Sequence, residues 1–340
     1  MFGRYMGYEL RPSGGDTPFS AISGLLNRAD LSLVNLETPL SDHDPTALFR
    51  FPLPARNLRF RAPTTSAQQL ADSGIDVAVL ANNHAEDCGR DGVEHTIKAL
   101  NDVGVLPVGG AAKPPLDPGA TVWLQRAGLQ VAVIAATTRR NRGTPHPGEW
   151  IPVAFGRTGD LLRELPVQVQ SATEQGADIV IVSLHWGLEF APHPNGAQRT
   201  LARALVDAGA SVVLGHHAHV LQPVEAYGDG LILYNMGNLI FDLLTIEGRR
   251  TALFQITFTP DAATGRWLPS QLIAHPLLIP NRHHGPQPAR GEHATRIIDR
   301  LAQASSSRYG TDLRRAGDRL IWRSETNVVE GNSPPPHWNR

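Results

Sequence analysis

The feature that most constrains the fold is an alternation between about residues 20 and 220 of short β-branched runs and helical patterns. Each β-branched run ends in a polar loop, and each helical pattern is roughly 10 to 15 residues long. The clearest strand, residues 178–184, is almost wholly apolar, as expected of a strand buried on both faces. Alternation of this kind predicts a layered α/β fold.

The sequence predicts individual elements and a change of pattern after residue 222. The predicted helices cover residues 22–28, 65–73, 92–102, 158–175 and 198–208, and the predicted strands cover residues 31–35, 76–81, 105–108, 131–136, 178–184 and 210–214. Residues 42–61 and 139–152 are irregular excursions. Strands at residues 231–234, 252–258 and 271–274, which lack long helices between them, predict a second, antiparallel sheet, followed by a surface helix at residues 290–304. The expected organisation is one domain over residues 1–280, a helical extension of it over 281–323, and a flexible tail over 324–340.

Charge and cysteine content exclude several classes of protein. With 31 basic and 32 acidic residues and no long basic block, the chain has no electrostatic footprint for nucleic acid or an anionic membrane. Cys88 is the only cysteine, so an internal disulfide and a cysteine-ligated zinc site are excluded. No membrane segment or secretory leader is expected, and the chain as written is expected to be cytoplasmic; a truncated N-terminus would leave membrane association or export as the alternative. The sequence leaves the oligomeric state unknown.

Three imidazoles follow the predicted strand at residues 210–214. His216, His217 and His219 lie within four residues, and imidazole nitrogen suits zinc, iron and manganese. The alternative is a set of hydrogen-bonded or exposed histidines. Because the cluster lies at a strand end, we favour metal binding.

The segment after the strand at residues 76–81 contains a second group of polar residues. Asn83 has an amide oxygen that can bind a metal, and His84 is placed to face substrate as a general acid. Asp87 would hold the other ring nitrogen of His84 and fix its tautomer. The alternative is that Asn82 or Asn83 caps the following helix and His84 is merely exposed.

Two further strand ends supply His185 and Glu37. His185 directly follows the buried strand, and Glu37 lies just beyond the strand at residues 31–35. A carboxylate can bridge two cations, although Glu37 taken alone is more typical of a solvated side chain. Four strand ends that all carry metal-competent groups predict one shared site.

Five segments carry a family resemblance: LVNLETPL, LANNHAEDCGRDG, SLHWG, GHHAHVLQPVE and YNMGNLIFD. Over residues 1 to about 260, the chain resembles the poly-γ-glutamate capsule biosynthesis family of the CapA type, which is similar to calcineurin-like metallophosphoesterases. The resemblance implies a layered β-sandwich flanked by helices and two divalent metal ions, which would be Mn, Fe or Zn. It also implies an anionic small-molecule or polyglutamate substrate.

The resemblance further implies a role for each site residue. The metal ligands would be Glu37 as the bridging carboxylate, Asn83, His185 and His217 at one ion, and His219 at the other; His84 with Asp87 would be catalytic; Arg4 and Asn238 would bind substrate. His216 takes the position of a glycine in the last motif. An exposed structural arginine and a turn-forming asparagine are the alternatives for Arg4 and Asn238.

The chain departs from the family pattern at its beginning. Family members open with an apolar strand and Gly-Asp before a stretch like residues 1–4, and Asp16 is a poor substitute because no strand precedes it. We expect a start codon placed too late; otherwise one metal site is incomplete and a single ion binds. Residues 1–4 should then begin at the carboxyl edge of the central sheet beside His219, next to an uncovered strand position.

These features predict a metal-dependent hydrolase in capsule biosynthesis. Metal-activated hydroxide would attack a phosphoester or a γ-glutamyl or other amide bond, and His84 would protonate the leaving group. One alternative is a non-catalytic accessory protein that binds poly-γ-glutamate through Arg4, Arg50, Arg56, Arg59 and Arg61. Another is an amide-forming or amide-cleaving tailoring enzyme of a small-molecule pathway.

Overall fold

The computed structural model describes residues 18–42, 59–114, 117, 119–141, 149–241, 245–280 and 285–324. The helices are α1 Ser23–Leu26, α2 Ser66–Asp72, α3 Gly89–Asp102, α4 Thr158–Glu174, α5 Gly196–Asp207, α6 Ile246–Arg249 and α7 Gly291–Tyr309. The strands are β1 Leu33–Asn35, β2 Val77–Val79, β3 Leu106–Val108, β4 Val122–Arg126, β5 Leu129–Thr137, β6 Ile179–His185, β7 Val212–His216, β8 Val224–Tyr227, β9 Gly230–Leu233, β10 Arg250–Pro260, β11 Trp267–Leu278, β12 Gln287–Pro288, β13 Arg314–Ala316 and β14 Arg319–Arg323. Most of the excursion at residues 42–61 and the tail beyond residue 324 lie outside the described residues.

A six-stranded sheet in the order β4-β5-β6-β7-β9-β8 forms the centre of the protein. Strands β5, β6, β7 and β9 are parallel, and the antiparallel strands β4 and β8 close the two edges. Leu165 and Val169 of α4 and Leu201 and Leu205 of α5 are buried against one face. These helices follow the apolar spacing that the sequence predicted for residues 158–175 and 198–208.

Two smaller sheets cover the other face of this central sheet. The parallel sheet β1-β2-β3 shares a core with β5, and the antiparallel sheet β10-β11-β14-β13 shares another with β7 and β9. Helices α1, α2 and α3 pack on the outer face of β1-β2-β3. The predicted layered α/β sandwich flanked by helices is therefore confirmed.

The strand predicted at residues 231–234 belongs to a different sheet from the one the sequence assigned to it. It forms β9, which pairs in parallel with β7 of the central sheet instead of joining the antiparallel one. All four residues of β9 are buried, which is the pattern of a parallel strand covered on both faces. The extension over residues 281–323 is also not purely helical, because the β13–β14 hairpin follows α7 and adds to the antiparallel sheet.

An apolar cavity of about 460 Å³ lies between two sheet edges. Among the described strands, β1 pairs only with β2, and β10 pairs only with β11. Leu33, Ile181, Leu214 and Phe254 line the cavity, which reaches His219 at one end. The uncovered strand position predicted from the sequence was to lie next to residues 1–4, which are outside the described residues, so it stays a prediction.

Replacing Tyr234 with phenylalanine is expected to destabilise the fold by about 1–3 kcal/mol, the usual cost of leaving a buried polar group unsatisfied. The Tyr234 hydroxyl donates to Glu225 Oε2 at 2.6 Å, and Glu225 is only 3% exposed. Tyr227→Phe is the matched control, because its hydroxyl makes an exposed contact of 3.4 Å to Asp207. The urea midpoint measures both effects, and equal midpoints for the two variants would contradict the assignment.

Candidate metal centre

The site is assembled where parallel strands from two sheets end. Glu37 follows β1, Asn83 and His84 follow β2, His185 ends β6, and His217 and His219 follow β7. All six side chains are at most 8% exposed. The structure therefore brings together the groups that the sequence placed at four separate strand ends.

Four potential ligand atoms converge at the centre of this site. His185 Nε2 lies 2.7 Å from Asn83 Oδ1, 3.1 Å from His217 Nδ1 and 3.5 Å from Glu37 Oε1. Adjacent ligands of a cation with bonds of about 2.0–2.2 Å lie roughly 3.0–3.5 Å apart. The separations from His185 Nε2 to His217 Nδ1 and to Glu37 Oε1 therefore suit ligands of one ion, and the 2.7 Å separation from Asn83 Oδ1 is that of a hydrogen bond.

The protonation of these atoms also favours a cation. Burial, followed by the neighbouring His217, lowers the pKa of His185 well below its usual value. Burial, followed by His219, lowers the pKa of His217 to about 3, so both imidazoles are neutral at pH 7. Carboxylate and amide oxygens cannot donate, and Glu37 Oε1 is buried without a hydrogen-bond partner. Because lone pairs outnumber protons at this point, the residues fit a divalent ion.

His219 is oriented by the side chain of Asn238. The Asn238 Nδ2 group donates to the backbone carbonyls of His219 at 3.0 Å and Gly248 at 2.9 Å, so its Oδ1 faces His219 Nδ1 at 2.9 Å as an acceptor. In the neutral ring of His219 the proton is thereby held on Nδ1, and the lone pair is on Nε2, which lies 3.9 Å from Glu37 Oε1. The three internal partners of Asn238 favour a positioning role over the substrate contact expected from sequence.

His84 and Asp87 form a buried pair beside the ligand atoms. His84 Nδ1 lies 2.7 Å from Asp87 Oδ2, which also accepts the Phe60 backbone N–H at 2.6 Å. Burial alone lowers the pKa of His84, but the hydrogen bond and charge of Asp87 outweigh it and raise the pKa. The Phe60 ring stacks obliquely on His84 with centroids 4.0 Å apart. Asp87 therefore fixes the tautomer and Phe60 covers one ring face, which leaves Nε2 as the proton-bearing or proton-accepting atom.

The backbone of the β7 loop is strained at two of these histidines. His217 has φ 93° and His219 has φ 58°, in the left-handed region that side chains with a Cβ rarely adopt. The same turn needs Gly215, since a Cβ there would lie 1.9 Å from the Tyr234 carbonyl oxygen. The strained backbone conformation of this loop thus directs both imidazoles toward Glu37.

His216, the third imidazole of the segment, lies apart from the ligand cluster. Its Nε2 lies 3.0 Å from Ser183 Oγ inside the core, and burial lowers its pKa to about 4. His216 is the last residue of β7, whereas His217 follows it with a left-handed backbone, so the two imidazoles reach different partners. His216 is the hydrogen-bonded buried histidine that the sequence left open as the alternative.

The sequence did not identify the segment after β5 as part of the site. Arg140 forms a buried ion pair with Glu86, with Nε 2.7 Å from Oε2, which anchors the loop that carries His84. Asn141 accepts from Asn83 Nδ2 at 3.2 Å through its Oδ1, and Arg139 acts electrostatically on His217. Their position directly after a predicted strand was the signal that could have identified these residues as part of the site.

Of the arginines that the sequence offered as the polymer-binding surface of a non-catalytic protein, Arg59 and Arg61 lie within the described residues. Arg4, Arg50 and Arg56 lie outside the described residues. Arg61 donates to the Ser41 carbonyl at 2.9 Å, and Arg59 is exposed.

Comparisons with known proteins identify relatives in bacterial capsule synthesis. The sequence profile described as "Bacterial capsule synthesis protein PGA_cap" matches residues 1–243. The capsule biosynthesis protein CapA of Bacillus anthracis is 31% identical over 255 residues, which cover 75% of this chain and 61% of that protein. A probable polyglutamine synthesis accessory protein of Mycobacterium tuberculosis is 29% identical over 274 residues, covering 74% of this chain and 68% of that protein. This chain thus spans about six to seven tenths of these relatives.

Solved structures show weaker likeness. The NAD nucleotidase of Haemophilus influenzae superposes with a TM-score of 0.47 at 12% identity, covering 83% of this chain and 55% of that one. A likeness at this level supports no inference about activity. Within the described residues, no helix combines the length and apolar character needed to cross a membrane.

Proposed function

The chain belongs to the bacterial capsule synthesis protein family, and from this premise we propose that it is a metal-dependent hydrolase acting on an anionic substrate. The observation that carries the proposal is the buried cluster of Glu37, Asn83, His185 and His217, in which Glu37 Oε1 lacks a partner. A protein core does not retain such a cluster for packing, because burying unpaired polar atoms is costly.

Five residues would hold the metal. Glu37, Asn83, His185 and His217 would bind one divalent ion, and Glu37 and His219 would contribute to a second. When bound, such ions supply Lewis-acid activation of water and of the group under attack. Mn, Fe and Zn suit this set of imidazole and oxygen ligands.

His84 would supply the proton that the leaving group needs. Asp87 holds Nδ1 in its protonated form, so Nε2 is the atom that exchanges a proton with substrate. Phe60 covers one face of the ring and limits access of water from that side. His84 therefore acts as general acid without being a ligand.

The substrate class follows from charge and from the relatives. Arg139 lies close enough to the cluster to lower the pKa of His217, after burial and His219, so the site favours a negatively charged substrate. The relatives are named for capsule and polyglutamine synthesis. A γ-glutamyl amide and a phosphoester both satisfy these conditions, and an amide-processing role in another pathway would use the same residues.

Protein purified without chelators is expected to retain one or two equivalents of Mn, Fe or Zn by mass spectrometry. Chelation should abolish hydrolysis and lower the melting temperature, since an ion that binds only the folded state stabilises it. Hydrolysis is assayed with p-nitrophenyl phosphate, bis-p-nitrophenyl phosphate and poly-γ-glutamate, and re-added metal should restore it. A His217→Ala preparation controls for contaminating enzymes. Absence of any bound metal, before or after reconstitution, would contradict the proposal.

A second candidate is a non-catalytic protein that binds poly-γ-glutamate. The name of the Mycobacterium tuberculosis relative, a synthesis accessory protein, favours it. Such a protein would bind the polymer equally well with and without metal. Binding that survives chelation, together with no hydrolysis of any of the three substrates, would select this candidate.

A further inference from the structure

A second cavity, of about 260 Å³, lies behind the turn that follows β6. It is bounded by the segment after β5 and by the first residues of α4 and α5. Arg139 and Arg157 line it, and its described lining contains no carboxylate. The cavity is therefore positively charged.

Two side-chain donors at this cavity lack acceptors. Gln198 is only 5% exposed, and its Oε1 accepts the Asn195 backbone N–H at 3.0 Å, which fixes the orientation of the amide. The Nε2 group on the other side of that amide is buried without a partner. Arg139 donates to the Gly187 carbonyl through Nη2, while its Nε is also buried without a partner. Buried donors without acceptors are uncommon, and they mark a place where an acceptor group fits.

The backbone keeps this space open. Gly187 has φ +85°, and a Cβ at this position would lie 2.7 Å from Gln198 Nε2. Any larger residue would push against the unpartnered amide. Gly187 is thus needed both for its conformation and for the close approach of Gln198.

The cavity adjoins the candidate metal centre. Thr138, which lines the cavity, donates its backbone N–H to the His185 carbonyl at 3.0 Å. Gly187 lies two residues beyond His185, and Arg139 lines the cavity while acting electrostatically on His217. The cavity therefore lies next to the backbone that carries His185.

We propose that this cavity is an oxyanion subsite, in which Arg139, Arg157 and Gln198 bind an α-carboxylate of a γ-glutamyl chain whose neighbouring amide lies at the metal centre. This inference rests on the proposed function. Arginine recognises carboxylates through two parallel hydrogen bonds, and the amide N–H₂ of Gln198 adds a neutral donor. Each γ-glutamyl unit carries one such carboxylate, so every unit of the polymer offers the group that the subsite binds.

Two variants test the subsite without touching the proposed metal ligands. Arg157→Gln removes an exposed guanidinium from the rim. Gln198→Glu replaces the unpartnered donor with a carboxylate but keeps the acceptor for Asn195, so the helix cap is preserved. Two control variants reproduce these changes of charge elsewhere: Arg163→Gln, on the helix that follows Arg157 but outside this cavity, and Gln175→Glu, on the surface.

Isothermal titration calorimetry at fixed ionic strength measures binding of tri-γ-glutamate and of inorganic phosphate to metal-free and metal-loaded protein. Loss of one charge-assisted hydrogen bond is expected to weaken tri-γ-glutamate binding about tenfold in Arg157→Gln. Gln198→Glu should weaken it further, because a like charge then faces the ligand. The two controls should bind within about twofold of wild type, and metal content should be unchanged.

Three results would overturn the subsite: both variants binding tri-γ-glutamate as tightly as wild type, wild type binding neither probe, or phosphate binding without tri-γ-glutamate binding. The last would make a phosphate group the ligand. The wild type could also hold no metal while both variants bind tri-γ-glutamate more weakly than it does. That combination would support the subsite and contradict the hydrolase, so the two proposals fail separately.

Discussion

Alanine at His217 or at His185 is expected to strip the metal from the protein and abolish hydrolysis. Each imidazole supplies one of the four converging atoms, and even the loss of a residue that only supports a ligand typically costs 10- to 100-fold in metal affinity. We therefore expect affinity to fall by more than about 100-fold when the ligand itself is removed. Metal content of the purified variants and competition with a chelator of known affinity measure the change.

A buried histidine outside the cluster is the control for this experiment. His275 is 8% exposed and lies against Gln255 on the antiparallel sheet. His275→Ala should keep the metal content of the wild type, even if it lowers the melting temperature. Wild-type metal content in both His217→Ala and His185→Ala would remove these residues from the ligand set.

Asparagine at His84 is expected to lower turnover by about 10²- to 10⁴-fold, the usual contribution of a general acid, while metal occupancy stays intact. Neither ring nitrogen of His84 is among the converging ligand atoms, and Asp87 holds Nδ1. The loss should be larger for a poor leaving group than for p-nitrophenolate, because a good leaving group departs without a proton. Turnover of phenyl and p-nitrophenyl phosphates, compared in both proteins, measures this difference.

His95→Asn is the matched control for His84→Asn. His95 is half-buried on α3, and its Nδ1 lies 3.1 Å from Ser41 Oγ, away from the cluster. Its substitution should leave turnover within about twofold of wild type. Loss of metal in His84→Asn would make His84 a ligand, and an equal loss of turnover for both leaving groups would exclude the general-acid role.

The sequence predicted most elements of the central layer because their signal is local. β6 is a continuous apolar run. The apolar spacing of α4 and α5 can be recognised in the sequence without knowing which elements these helices pack against. The sheet to which β9 belongs depends on pairing with β7, which is a non-local contact. β4 was missed because its alternating burial, with Trp123 37% exposed, leaves few apolar residues to recognise.

The order of the strands along the chain was enough to predict which residues would form the ligand cluster. Carboxyl ends of parallel strands meet at one edge, so Glu37, Asn83, His185 and His217 were expected to converge. Asn238 contacts His219, and the segment after β5 contacts Asn83. Both are tertiary contacts that the spacing of residues in the sequence does not reveal. The difference between His216 and His217 depends on the left-handed backbone of His217 directly after β7, which residue spacing does not reveal.

The left-handed backbone at His217 and His219 means that selection for thermostability of the metal-free protein and retention of the site act in opposite directions. Each non-glycine residue in this region costs on the order of 1–3 kcal/mol, so glycine at either position would relieve strain. A library sorted for heat resistance in the presence of a chelator, where bound metal cannot stabilise the fold, would therefore enrich glycine at the two positions that point imidazoles at Glu37. Protein engineering on this fold has to keep both histidines, because the strained backbone after β7 is what orients their imidazoles toward Glu37.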